Sequence, residues 1–243
     1  MLNHTRFIQS PISDILEDAV TASSGIGSGI ETFPLCDYVM QSVFLKMTGF
    51  QEQKMKCICW DLASIDYEYR YEFTKNPLGE CSTYAEKQKI YKDLIDQIKK
   101  YSTSFKVHND IDRQAILTAT GSEVSSIFIN SNLMIWTQKG FNEFEQIWKT
   151  VEKKHFSNDE GSLFTETSKD ISLRTIYKNF LHKHRNRTAH NTLSYQQNLP
   201  TLKTLVNEDY KYENYFIWFA ILILIDKIFI ELYERQLKLF NDN

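Results

Sequence analysis

Apolar positions in this chain recur at helical rather than strand spacing. Phe44, Met47, Gln51, Met55, Ile58, Leu62, Ile65 and Tyr69 follow one another at gaps of three and four, which traces one face of a helix. Only Gly49 interrupts, so the pattern predicts a single long helix from about Pro34 to about Phe73, ended by the turn KNPLGE (Lys75 to Glu80). Thr83 with Glu86 three positions on forms a capping box for a second helix, which turns Ile90, Leu94, Ile98 and Tyr101 inward. Ser102 to Ile111 is polar and reads as a loop. From Asp112 to Gln138 the pattern favours helix, against a strand-like Ile127-Phe128-Ile129 and a weakening Gly121. Phe141, Phe144, Trp148 and Val151 return to helical gaps, and SNDEGS (Ser157 to Ser162) reads as a loop. Leu173, Ile176, Tyr177, Phe180 and Leu181 then make another apolar face.

The most apolar segment comes last: Tyr215 to Ile225 is unbroken, followed after Asp226 and Lys227 by Ile228, Phe229 and Leu232. That run is well short of the roughly 20 residues needed to span a bilayer. It predicts a central core helix and no membrane insertion, with any apolar surface left over going to a dimer interface. At the other end, Ile8, Ile12, Ile15, Leu16 and Ala19 suit one short amphipathic helix, followed by the linker-like TASSGIGSG (Thr21 to Gly29). The organisation expected is therefore an N-terminal extension with a flexible linker over residues 1–33, docked or mobile, and an all-α bundle of long helices over 34–243. Only 4 prolines and 8 glycines in 243 residues leave few breakers, which supports helices over a strand-and-turn fold.

Charge narrows the partners. The net charge is -3, so no global basic field advertises nucleic acid, and such a partner needs a local patch. Cys36, Cys57, Cys59 and Cys81 lack the spacing of a zinc knuckle or redox motif and read as free thiols in a reducing compartment. The N-terminus, interrupted by His4, Arg6, Asp14 and Glu17, lacks the apolar core of a signal peptide, so a cytoplasmic location is expected.

The local patch is HRNRTAHN, residues 184–191, preceded by His182 and Lys183. Cleaving RNA without a metal or cofactor requires activation of the ribose 2′-hydroxyl, protonation of the leaving 5′-oxygen and charge stabilisation on the phosphorane. Histidine serves either proton role near neutral pH. Arginine offers a planar fork matched to phosphate oxygens, and an asparagine amide orients either group. Arg185, Asn186 and His190 supply all three types within six residues. On a continuous helix Asn186 and His190 share a face, whereas Arg185 and His190 lie about 140° apart. Arg185 and His190 converge if the helix breaks or begins near Asn186, or if a second chain contributes a second copy across a two-fold axis. A solvated basic helix end, favoured by the macrodipole, is the plainer alternative.

The string RNRTAH resembles the Arg-x4-His motif of the HEPN superfamily, with Asn after the Arg and Ala before the His. The resemblance covers about Pro34 to Phe240 and implies a helical bundle of HEPN type. It further implies a metal-independent endoribonuclease that leaves a 2′,3′-cyclic phosphate, acting as an obligate dimer with a composite site. Many such proteins are toxins or antiviral defence effectors held in check by an antitoxin or other regulatory partner. Glu52-x3-Lys56 on the first helix, at the edge of the buried stripe, resembles the acidic and basic pair that some HEPN ribonucleases place beside the Arg and His. The resemblance thus assigns Arg185, Asn186, His190 and Glu52 to catalysis, and Lys56, Lys183, Arg187 and His184 to RNA contact. Two other readings stand beside it. One is a non-catalytic HEPN-like module binding RNA, a nucleotide or a protein. The other is a metal enzyme using His182, His184 and His190, for which no recognised ligand spacing appears and the nearest acids are Asp170 and Asp209.

Overall fold

The computed structural model describes residues 4–166, 171–189 and 211–242, and these are overwhelmingly helical. Two short helices, α1 (Thr5–Gln9) and α2 (Ser13–Ala22), precede the 33-residue α3 (Phe33–Ile65). There follow α4 (Tyr67–Lys75), α5 (Tyr84–Tyr101), α6 (Val107–Asp110), α7 (Arg113–Phe128) and α8 (Asn132–Trp148). A small antiparallel hairpin comes next, β1 (Phe156–Asp159) with β2 (Ser162–Phe164). The chain continues through α9 (Leu173–Ile176), a π-helical turn (Tyr177–Leu181) and α10 (His182–Ala189), and ends in α11 (Tyr215–Asn241).

The α3 stripe is buried as expected from Phe44 to Leu62, but the helix stops eight residues early. Asp66 accepts hydrogen bonds from the backbone N–H groups of Glu68 and Tyr69, at 2.9 and 3.1 Å, and so caps a new helix, α4. A side chain that competes for backbone donors in this way ends one helix while starting the next. The capping box at α5 forms as predicted, with Glu86 N–H on the Thr83 hydroxyl and Thr83 N–H on the Glu86 carboxylate. Ile90, Leu94 and Ile98 are buried, whereas Tyr101 is exposed at the frayed end. The strand-like Ile127-Phe128-Ile129 is the end of α7. Gly121 is helical and needed: a Cβ there would lie 2.7 Å from the Trp148 ring of α8.

Two expected loops hold structure. Within Ser102 to Ile111 lies α6, with Phe105, Val107 and Ile111 buried. The stretch SNDEGS lies in the hairpin, which is fastened to α5 rather than to other strands. Gln88 accepts from Leu163 N–H, the Tyr84 hydroxyl accepts from Phe164 N–H, and the Tyr91 hydroxyl donates to the Asp159 carbonyl.

The N-terminal segment shares the core of the bundle. Ile8, Ile12, Ile15 and Leu16 are buried. Between α1 and α2, Ile12 N–H donates to Asp226 of α11 and the Ser10 carbonyl accepts from Lys54 of α3. Lys54 and Asp226 also pair directly at 2.7 Å. His4 reaches Asp61, which in turn accepts from the Tyr233 hydroxyl. The linker-like residues are held too, because the Asn132 amide donates to the carbonyls of Ser24 and Ile26.

In α11, Phe216 to Ile225, Ile228, Phe229, Leu232 and Tyr233 are all buried within one chain, packed on α3, α5, α7 and α8. The apolar surface expected to spill into a dimer interface is therefore already covered. No helix among the described residues is long and apolar enough to cross a membrane. All four cysteines are free, and three are buried.

Candidate active site at the crossing of α3 and α10

Glu52 and Arg185 meet across 133 positions of sequence. The Arg185 Nη2 lies 2.8 Å from Glu52 Oε1 and 2.9 Å from Oε2, while Nη1 donates to Asn186 Oδ1 at 3.1 Å. Both charged side chains are largely buried, with 18% of Arg185 and 11% of Glu52 exposed. The guanidinium fork is thus fixed by two partners, one on another helix and one next to it in the chain. Such double anchoring pre-positions a cation without consuming all five of its donors.

Local sequence explains the meeting. Glu52 follows Gln51 on α3, just off the apolar stripe, so its carboxylate emerges where α10 packs on α3. Immediately before α10 the chain makes a π-helical turn in which His182 N–H bonds to the Tyr177 carbonyl. A π-bulge inserts one extra residue into the helical register, and such bulges are frequent at functional sites. Here it re-aims everything from His182 onward relative to the buried face of α9.

The crevice around the pair is lined by Gln51, Ser82, Lys87, Tyr177 and His182 as well, and no space within it admits a water molecule. Lys87 is fully buried and donates to the Cys81 carbonyl at 2.7 Å. Desolvation pushes its ammonium down to about 8, with the Glu52 charge opposing. Burial, then the Arg185 and Lys87 charges, lower His182, which stacks on Tyr177. Burial raises the Tyr177 hydroxyl. Gln51 spends its amide N–H on the Leu222 carbonyl, leaving its own buried oxygen without a hydrogen-bond partner among the described residues.

The expected site residues divide as follows. Glu52, Arg185 and Asn186 are brought together. His190 lies outside the described residues, as do Asp170 and Asp209. Lys56 does not pair with Glu52; it is bonded to Glu80 at the surface. His184, expected at the RNA, faces the interior instead. Its ring sits 4.7 Å from Trp218 and 5.5 Å from Phe44, with Nε2 hydrogen-bonded to the Tyr215 hydroxyl at 2.9 Å. Burial, and secondarily Arg187, depress it to about 4, so it carries no charge for RNA at neutral pH. Lys183 is exposed and Arg187 half-buried. The two neighbouring histidines therefore occupy different environments, His182 on the crevice and His184 in the aromatic cluster. Among the described residues no group of His, Cys, Asp and Glu is arranged to hold a metal ion.

Lys87 escaped the sequence reading although a signal was there. It falls three positions before Ile90, in register with the apolar stripe of α5, where a charged residue must be buried or must displace the stripe. A wider groove of about 660 Å³, lined by Cys59, Trp60, Phe73 and Leu78, lies between α3 and α4. It is mainly apolar and does not contain the Arg185 fork, so the candidate chemistry belongs to the crevice.

Comparison with family models, with curated proteins and with solved structures found no match to this chain.

Proposed function

We propose that the chain is a metal-independent endoribonuclease of HEPN type, probed best at Arg185. The observation that carries the reading is the Glu52–Arg185–Asn186 arrangement, which matches the acid from the first long helix that some HEPN ribonucleases place beside the arginine. In this reading Arg185 presents the outer edge of its fork to a phosphate, while Glu52 and Asn186 hold the inner edge. His190 exchanges protons at the reacting centre. The ribose 2′-oxygen forms a bond to phosphorus as its proton leaves, and the P–O5′ bond breaks as the departing oxygen gains a proton. The products are a 2′,3′-cyclic phosphate and a 5′-hydroxyl.

The helix runs without a break from His182 to Ala189, so the break at Asn186 that would fold Arg185 toward His190 is absent. The proposal therefore takes the two-chain arrangement, with the Arg185 of one protomer and the His190 of its partner in one cleft. A control partner, as for a toxin or defence effector, belongs to the same proposal.

Labelled RNA incubated with the purified protein tests it. Cleavage should persist in EDTA, leave a cyclic phosphate end, and disappear in His190→Ala with the helical circular-dichroism spectrum retained. Cleavage that needs a divalent ion, or that survives in His190→Ala at the wild-type rate, overturns the assignment. RNA binding without cleavage would favour the non-catalytic module instead.

A further inference from the structure

Lys87 has no role in the chemistry above, yet it is among the most expensive residues in the molecule. A buried ammonium carries three donors, and this one satisfies a single carbonyl. That carbonyl belongs to Cys81, held at a φ of 59°, a left-handed conformation that non-glycine residues rarely adopt. The backbone is thus strained at the residue that caps the lysine. On the other side lie Glu52 and Arg185, and in the same crevice the Gln51 oxygen is buried without a partner among the described residues. Strain, an under-satisfied cation and an orphan acceptor collected beside one ion pair are the marks of a functional site rather than of a packing solution.

We infer that Lys87 is a positioning residue of this site: its buried ammonium lines the same closed crevice as Glu52 and Arg185, and its field on that pair sets how much positive charge a nucleic-acid phosphate meets at the exposed edge of Arg185. The inference rests on the phosphate-binding role of Arg185 proposed above. With Lys87 protonated, Glu52 answers to two cations and the Arg185 fork retains charge for a ligand. With Lys87 neutral, Glu52 neutralises Arg185 alone and the crevice loses one positive charge.

The other groups around it do not titrate in the same range. The Cys81 thiol is pushed up to about 11 by burial, Tyr177 is raised, and His182 is lowered. Glu86 is lowered, although burial opposes this, because it accepts from the Thr83 backbone and hydroxyl. Glu52 of α3 and Arg185 of α10 are the charged partners that line the crevice with the lysine. Among the groups lining the crevice, Lys87 is the one that burial brings down to about 8.

Two measurements test this on the full-length protein. The first follows the Cε resonances of ¹³C-labelled lysine, with Lys87 assigned by its loss in Lys87→Met. One lysine should titrate near 8, and its midpoint should fall further in Glu52→Gln. A Lys87 midpoint at the ordinary 10.5 in both proteins overturns the inference. The second measures binding of a 2′-O-methyl oligoadenylate, which cannot be cleaved, from pH 6.5 to 9 at fixed salt. Wild-type affinity should fall several-fold, on the order of the loss of one charge contact, as pH rises through 8. Lys87→Met should bind weakly with a flat profile, whereas Lys87→Arg should hold its affinity to pH 9. A wild-type profile in Lys87→Met refutes the lysine's role and leaves the ribonuclease reading intact. Full affinity in Arg185→Ala instead refutes the site on which both rest.

Discussion

Arg185 offers a planar fork with its inner edge on Glu52 and Asn186, and that geometry decides what a substitution does. Arg185→Lys keeps the charge but cannot bridge Glu52, Asn186 and a phosphate together. Its RNA cleavage should fall by about 100-fold or more, the scale of losing one preorganised charge-stabilising contact. Near-wild-type turnover would reduce Arg185 to an electrostatic tether. At the neighbouring position the physics is reversed, since His184 is held neutral among Phe44, Tyr215 and Trp218. Its pKa is depressed to about 4 in the fold, against 6.5 as its ordinary value. The unfolded chain therefore binds the extra proton first, and this contribution to stability is lost as pH falls from 6.5 toward 4. Urea unfolding across that range should show a slope that His184→Phe reduces, and an unchanged slope would contradict the half-buried neutral ring. The place of Glu52 beside the apolar stripe called for a partner, and the motif chemistry and the resemblance named Arg185 as a candidate for it. The sequence did not assign His182 and His184 to their environments: two positions apart on a helix they face roughly opposite sides, and only the tertiary partners decide which side is the crevice and which the aromatic cluster.

At the scale of elements, long periodic helices were legible and their interruptions were not. The stripe from Phe44 to Leu62 needs only burial to form α3, but the break at Asp66 depends on a side chain capturing two backbone donors. The hairpin was missed because its strands have 4 and 3 residues and are fixed by Tyr84, Gln88 and Tyr91 of α5, which no local pattern announces. The π-helical turn likewise adds one residue to a register that the sequence presents as continuous. A different kind of junction ties α3, α11 and the N-terminal helices together. Burial pushes Lys54 down and Asp226 up, and their attraction for each other, with the Ile12 N–H on Asp226, opposes it. Asp226→Ala would leave the Lys54 ammonium buried and unpaired, and should destabilise the protein by about 3–5 kcal/mol. The double variant Lys54→Met with Asp226→Leu should recover most of that loss in urea titrations. If the single variant unfolds at the wild-type urea midpoint, the pair is not what fastens the N-terminal segment to the bundle.

For the whole molecule, the question is which surface would bring a second copy of the site into reach. The all-helical class and the buried C-terminal helix follow from an apolar pattern that only a core can satisfy. That same burial removes α11 as a meeting surface, because its apolar residues are covered within one chain. The remaining candidates are apolar side chains left in water. Ile30, Phe33, Leu35 and Tyr38 are exposed at the start of α3 and just before it, at 75%, 48%, 48% and 66%. Ile30 precedes the helix, Phe33, Leu35 and Tyr38 lie in its first two turns, and Phe33 packs edge-on against Trp136 of α8. Exposed apolar side chains gathered at one end of a helix are what a second copy would cover. A two-fold contact there would make the patch self-complementary. Light scattering at micromolar concentration should then give twice the 28.6 kDa chain mass. Leu35→Glu combined with Tyr38→Glu should return it to the monomer mass with the fold intact, since neither side chain belongs to the core. RNA cleavage should fall with the dimer in that variant, because Arg185 and His190 from different chains would no longer share a cleft. A dimeric wild type whose double variant stays dimeric moves the interface elsewhere. A monomeric wild type that still cuts RNA removes the composite cleft altogether and returns both residues to one chain.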